Sequence, residues 1–139
     1  MSVVWRNIVD VENYSAWQVG IKDVEIDDGN MPAVNKTLRF YLSDYDSSLF
    51  HEETISALEN DRLITFLRKG INENPLLKEF QTSYSLKRLL DGTTEVSVAI
   101  SYSTKSLMAK IYNQLYLRVA LGNKFENNLT RLGNLCENR

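Results

Sequence analysis

Residues 91–119 read DGTTEVSVAISYSTKSLMAKIYNQLYLRV, and the spacing of their apolar residues changes part-way along. From Glu95 to Thr104, Val96, Val98, Ile100 and Tyr102 fall on one face, and Glu95, Ser97, Ala99 and Ser101 on the other. Strict alternation is the signature of a half-buried β-strand. From Ser106 onward the apolar residues fall three or four apart, at Met108, Ile111, Leu115 and Val119, and the pattern continues loosely through Phe125, Leu129, Leu132 and Cys136. That spacing predicts one amphipathic helix of about 30 residues, roughly 45 Å long. Gly122 falls in its middle, where a glycine costs about 1 kcal/mol relative to alanine. A bend or the close approach of another element is expected there.

Upstream of this switch the chain reads as strands. Asp91-Gly92 is a hairpin turn. Before it, Glu79–Leu90 sets Phe80, Thr82, Tyr84 and Leu86 against Gln81, Ser83, Ser85 and Lys87. Leu63–Lys69 is mostly apolar on both faces, and Leu49–Leu58 carries His51-Glu52-Glu53. Leu38, Phe40 and Leu42 alternate with Thr37, Arg39 and Tyr41, and Ile21–Asp27 alternates roughly. Turns fall at Asp28-Gly29-Asn30, Ser43–Ser48, Asn60-Asp61 and Gly70–Pro75. At the start, Val3–Asp10 has apolar residues at 4, 5, 8 and 9, a helical spacing, and Asp10 can cap a second short helix over Val11–Trp17. The expected architecture is α+β in a single domain, residues 1–139. About six antiparallel strands form a curved meander that grips the long C-terminal helix, and two short helices plug one end. Such a sheet does not close tightly on one helix, so a cavity is expected between them.

Bulk properties narrow the function. Of 139 residues, 43% are hydrophobic and 24% charged, an ordinary globular balance. No apolar run approaches the ~20 residues of a membrane span. No signal-peptide pattern is evident. Cys136 is the only cysteine, so an internal disulfide is excluded. These features favour a cytoplasmic protein, in which the sequons at Asn13, Asn35 and Asn128 carry no meaning. Net charge is −2, split as 4 basic and 12 acidic residues over 1–61 against 12 basic and 6 acidic over 62–139. The basic residues are scattered singly, which argues against a nucleic-acid partner. Phosphate loops, dinucleotide fingerprints, nucleophile elbows and metal-ligand spacings are all missing, so no cofactor is expected.

The chain resembles the START-like, Bet v 1-like helix-grip superfamily (SRPBCC), and within it the polyketide cyclase/dehydrase and lipid-transport branch. The resembling residues are Val4-Trp5, Asp10–Tyr14, Trp17, Ile21–Ile26, Glu52-Glu53-Thr54-Ile55, Asp61-Arg62-Leu63, Asp91–Val96 and the C-terminal helix. The resemblance implies the fold and a hydrophobic ligand; a minority of such proteins are enzymes. The pattern departs in one respect: the family begins with a strand before the Val-Trp helix, and none precedes it here. Either Met1 is not the natural start, or Glu95–Thr104 lies at an open sheet edge covered by a second copy.

Candidate ligand-binding residues are those that carry apolar area, some with a polar tip, on inward faces. They are Trp17, Phe40, Tyr84, Tyr102, Met108, Ile111, Tyr112, Leu115, Tyr116 and Val119, with Glu53 and Arg118 as polar anchors. Arg118 could neutralise an anionic head. Glu52 and Glu53, being adjacent, point to opposite faces, so only one can face a cavity. His51 reads as a surface strand residue. No catalytic residue stands out, which favours a binder of a lipid, polyketide or aromatic-like molecule over an enzyme. The alternatives are a polyketide cyclase/aromatase-like enzyme and an interaction module that pairs through the sheet edge.

Overall fold

The computed structural model describes residues 2–29, 31–43, 50–69 and 77–138, apart from the side chains of Lys69, Ala109 and Leu115. The expected turns at Ser43–Ser48 (beyond Ser43) and Gly70–Pro75 lie outside these residues, as does the first residue of the strand expected over Leu49–Leu58.

The chain opens with α1 (Val3–Val9), a 3-10 turn over Val11–Asn13 and α2 (Tyr14–Trp17). Six strands follow: β1 (Ile21–Ile26), β2 (Thr37–Leu42), β3 (Phe50–Glu59), β4 (Leu63–Lys69), β5 (Leu77–Arg88) and β6 (Thr94–Thr104). They pair antiparallel in chain order, with β1 and β6 at the edges of the sheet. Register irregularities at Ile21/Asp23, Ile55/Ala57 and Leu77/Glu79 add local twist, which is how a long meander curves around a helix. The helical run then comprises α3 (Leu107–Tyr112), a π-helical turn over Asn113–Leu117, and α4 (Arg118–Glu137). No helix among the described residues is long and apolar enough to cross a membrane.

Sequence placed the helix irregularity at Gly122; it lies instead at Asn113–Leu117. A Cβ built on Gly122 would meet nothing within 4 Å, so no element approaches it closely. The π turn coincides with a hydrogen bond from the Tyr102 hydroxyl to Asn113 Oδ1. π turns interrupt the regular ladder and recur where a helix must adjust to a neighbour.

Local chemistry fixes the N-terminal helices. Ser2 caps α1, its Oγ accepting the Trp5 N–H at 3.0 Å. The Ser2 N–H donates to Asp61 Oδ1 at 2.8 Å, and Trp5 Nε1 donates to Asn60 Oδ1 at 3.0 Å. Both acceptors lie in the β3–β4 turn, where Asp61 adopts a positive φ of 58°. The bond from Ser2 holds the Asp61 carboxyl below its ordinary range. Hence α1 is fastened to one end of the sheet.

The core is aromatic. Trp5, Tyr14, Trp17, Phe40, Phe66 and Tyr84 are buried with Ile8, Leu38, Ile55, Ile64 and Leu132. The Tyr14 hydroxyl donates to the Ile8 carbonyl at 2.5 Å, and its ring packs on Trp17, Phe40 and Phe66. Trp17 Nε1 is buried with no hydrogen-bond partner among the described residues.

A buried amide pins the last helix to this core. Asn128, 1% exposed, accepts the Val19 N–H at 2.7 Å just beyond α2, and it also hydrogen-bonds the Tyr84 side chain. Removing it leaves two partners unsatisfied, at about 1–3 kcal/mol per buried group. Asn128→Ala is therefore expected to destabilise the protein by about 2–3 kcal/mol in urea denaturation, with exposed Asn127→Ala changing it by less than about 0.5 kcal/mol. Equal, small effects would remove Asn128 from this role.

Candidate functional site

Strand parity decides which side chains face the helix. In β2–β3, Phe40 pairs with His51 and Leu38 with Glu53, so both polar residues share the inward face. In β4–β5, Ile64 pairs with Tyr84, Phe66 with Thr82 and Arg68 with Phe80. Arg68 therefore follows Ile64 and Phe66 onto that same face. From α4, Leu121, Lys124, Phe125 and Asn128 close over it.

Between them lies a partly open cavity of about 180 Å³. Its apolar wall includes Phe40, Phe66, Phe80 and Phe125, with Phe80 stacked on Phe125 at 6.1 Å. Its polar wall holds Gln18, His51, Glu53, Arg68, Thr82, Tyr84, Lys124 and Asn128. His51 Nε2 lies 3.2 Å from Glu53 Oε2. The imidazole stacks on Phe40, with centroids 5.0 Å apart and planes 14° from parallel.

The electrostatics are those of charges partly withdrawn from water. Burial pushes the Arg68 guanidinium down from its ordinary value, opposed by the negative charge of Glu53. Lys124 is exposed as a residue, yet it lines the cavity, and its ammonium lies 5.9 Å from the Phe125 ring centroid. Desolvation lowers its pKa first; Glu53 raises it and Arg68 lowers it. Burial chiefly raises both Tyr14 and Tyr84 above the ordinary phenol value, and Glu53 adds to each shift. No group of three or more His, Cys, Asp or Glu that could hold a metal occurs among the described residues.

The expected site residues are dispersed. Phe40, Tyr84 and Glu53 line the cavity. Trp17 stands behind Tyr84, their rings 5.6 Å apart and edge-on. Tyr102 stacks on Phe80 at 5.9 Å, one ring further out. Met108, Ile111, Tyr112, Tyr116 and Val119 are exposed and lie outside the lining, Met108 at 74% and Val119 at 63%. The described helix residues buried on the core start only at Phe125. A periodic apolar stripe does not reveal which part of its length the sheet will reach. The Leu115 side chain lies outside the described residues. Arg118 is exposed away from the cavity; the cations that line it are Arg68 and Lys124.

His51, expected on the surface, is inward with its side chain 11% exposed, because its partner Phe40 is inward. Glu52 is the outward member of the acidic pair and bonds Arg39 Nε at 3.1 Å. Arg68 and Lys124 were not anticipated. Arg68 was legible from parity with Ile64 and Phe66, whereas Lys124 flanks the stripe and carried no signal.

No family model and no curated protein matches the chain. Solved structures do match. Ara h 8.0201 aligns over 99% of this chain and 89% of its own, at 14% identity and TM-score 0.71. The Zhui aromatase/cyclase from Streptomyces sp. R1128 aligns over 99% and 86%, at 16% identity and TM-score 0.73. The di-domain ARO/CYC BexL of the BE-7585A biosynthetic pathway aligns over 93% of this chain and 40% of its own, at 14% identity and TM-score 0.72. The fold is thus the Bet v 1-like helix grip: an open six-stranded antiparallel sheet, a long C-terminal helix and short N-terminal helices.

The tyrosine shifts set a sign for pH. In the folded state Tyr14 and Tyr84 keep their protons above the ordinary pKa of about 10, so their contribution is intact below that pH and is lost as pH rises toward the folded value. In an alkaline titration followed at 295 nm, these two rings are expected to ionise only with unfolding. Tyr84→Phe should lessen the alkaline loss of stability. Ionisation of all seven tyrosines near pH 10 with the fold intact would contradict their burial.

Proposed function

We propose that the chain binds a hydrophobic small molecule between the sheet and α4. The carrying observation is the cavity itself, a concave hollow with an aromatic wall on one side and convergent polar groups on the other, a constitution that suits a ligand site. The neighbours that share the fold include aromatase/cyclases, which is consistent with this reading. Incubation with cell extract followed by native mass spectrometry should show a small-molecule adduct on the 16.0 kDa chain. Leu121→Trp, which fills the cavity from α4, should abolish the adduct while leaving the circular dichroism spectrum unchanged. A wild-type chain that remains adduct-free would overturn the reading.

The second reading is a cyclase/aromatase-like enzyme. It is favoured by the His51–Glu53 pair facing a polar part of the cavity, since a carboxylate that orients an imidazole beside a bound substrate is a general-base arrangement. Under it, Glu53→Gln lowers turnover at least about 100-fold while ligand affinity changes little. Under the binder reading, there is no turnover to lose.

The exposed edge supports a further association, a cytoplasmic homodimer through β6. Glu95 and Lys105 flank that strand. Two copies paired antiparallel about Ile100 set Glu95 opposite the second copy's Lys105, an opposite-charge pair that stabilises such ladders. Light scattering should give twice the chain mass. Glu95→Lys should lower that mass, and adding Lys105→Glu should restore it. Monomers at every concentration would remove the dimer.

A further inference from the structure

We propose that α3 and the π turn after it dock on a membrane surface that carries anionic lipid, the helix lying flat in the interface. The inference concerns a part of the chain outside the cavity, and it stands or falls independently of the ligand reading.

The carrying observation is a helix seated with its apolar side outward. Leu107, Met108, Ile111, Tyr112, Tyr116 and Val119 are all exposed, Leu107 and Met108 at 74%. At about 100° per residue, the four that belong to α3 fall within one arc of roughly 140°. Tyr116 continues the stripe, its ring 5.4 Å from that of Tyr112. The side turned to the domain is a different one. Half-buried Asn113 accepts the Tyr102 hydroxyl, and half-buried Leu117 follows four residues later. Single exposed apolar residues are ordinary, whereas a run of them along one helix marks an interaction surface.

Charge selects the occupant. No acidic residue occurs between Glu95 and Glu126. Lys110 and Arg118 are exposed within the run. Lys124 lines the cavity and Lys105 has another partner, so neither is needed here. Glu79, opposite Ser103 in the sheet, is on the outer face, because the adjacent Phe80 lines the cavity. An apolar stripe accompanied by basic residues and no acids is the composition of a helix that lies in the interface of an anionic bilayer. Tyrosines suit that level, with an apolar ring and a polar tip. A second copy fits less well. Two stripes face to face bring Lys110 and Arg118 of each copy near those of the other, with no acid in the run to offset them. The stripe is short, so apolar insertion and charge act together.

The test uses the intact chain with vesicles of phosphatidylcholine alone and vesicles with about 30% phosphatidylglycerol. In flotation at low salt, the chain is expected to bind the anionic vesicles at least about tenfold more tightly than the neutral ones. Raising the salt to about 0.5 M should weaken the association severalfold, since it shortens the screening length. Lys110→Gln and Arg118→Gln should each cost about fivefold in affinity, the effect of one basic residue near such a surface. Met108→Asp combined with Ile111→Asp should abolish flotation with the circular dichroism spectrum unchanged, because both side chains are exposed. Leu90→Asp, which alters an exposed apolar residue between β5 and β6, should change nothing.

A chain that does not float with anionic vesicles at low salt overturns the proposal. Equal binding to both kinds of vesicle, unmoved by Lys110→Gln and Arg118→Gln, overturns the choice of an anionic lipid. Flotation that survives the two aspartates, or that Leu90→Asp abolishes as well, overturns the stripe as the contact. A doubled mass in light scattering without lipid, removed by Ile111→Asp but not by Glu95→Lys, gives the stripe to a second copy instead.

Discussion

Asn128 holds the architecture together at a point where hydrophobic packing alone could not specify it. Apolar burial is non-directional, and a helix lying on a curved sheet can slide or rotate at little cost in buried area. One buried amide removes that freedom. By taking the Val19 N–H and engaging Tyr84, Asn128 fixes α4 against the end of α2 and against the middle of β5 at once. Phe125 and Leu132 then fall on the core, and Lys124 and Leu121 fall at the cavity. In the preceding stretch, α3 and the π turn, the anchor seen among the described residues is the Tyr102–Asn113 bond. Leu107, Met108, Ile111, Tyr112 and Tyr116 of this stretch are exposed.

The cavity is where the inward face of the sheet ceases to be uniformly apolar. In the middle of β2, β4 and β5 the inward face carries Leu38, Phe40, Ile64, Phe66 and Tyr84, with Thr82 opposite Phe66, but β3 contributes His51 and Glu53, and β4 ends in Arg68. Burying such groups singly costs several kcal/mol each. They are tolerable because they face one another across a partly open space, with Lys124 completing the set from the helix. Groups of opposite sign gathered around an aromatic-lined hollow do little for folding that a leucine would not do better. Under the proposed binding function, their value lies in recognising a ligand that carries both apolar and polar surface.

Much of this was legible in the sequence, and the reason lies in the periods. Alternation along β5 and β6, the Asp91-Gly92 hairpin and the change to helical spacing after Ser106 define the sheet and the helix that covers it. The two short N-terminal helices and the open edge at β6 follow the same reading. The inward places of Phe40, Tyr84 and Glu53 follow from parity within single strands. His51 required one step more, the pairing partner, since only the register with Phe40 shows that its face is the buried one. Met108, Ile111, Tyr112, Tyr116 and Val119 could not be placed by any periodicity, because a stripe on a helix says which face is apolar and not how far along it the sheet extends.

By itself the sequence determined the element types, their order, the meander and the grip of a sheet on a C-terminal helix, because these are set by local spacing and short turns. Tertiary structure decided the site. Arg68, Glu53, His51 and Lys124 come from β4, β3 and α4, separated by up to 73 positions of chain (124 − 51 = 73). Only strand register and the docking of α4 through Asn128 bring their charges within range of one another, and register and docking are long-range geometry that no local pattern encodes.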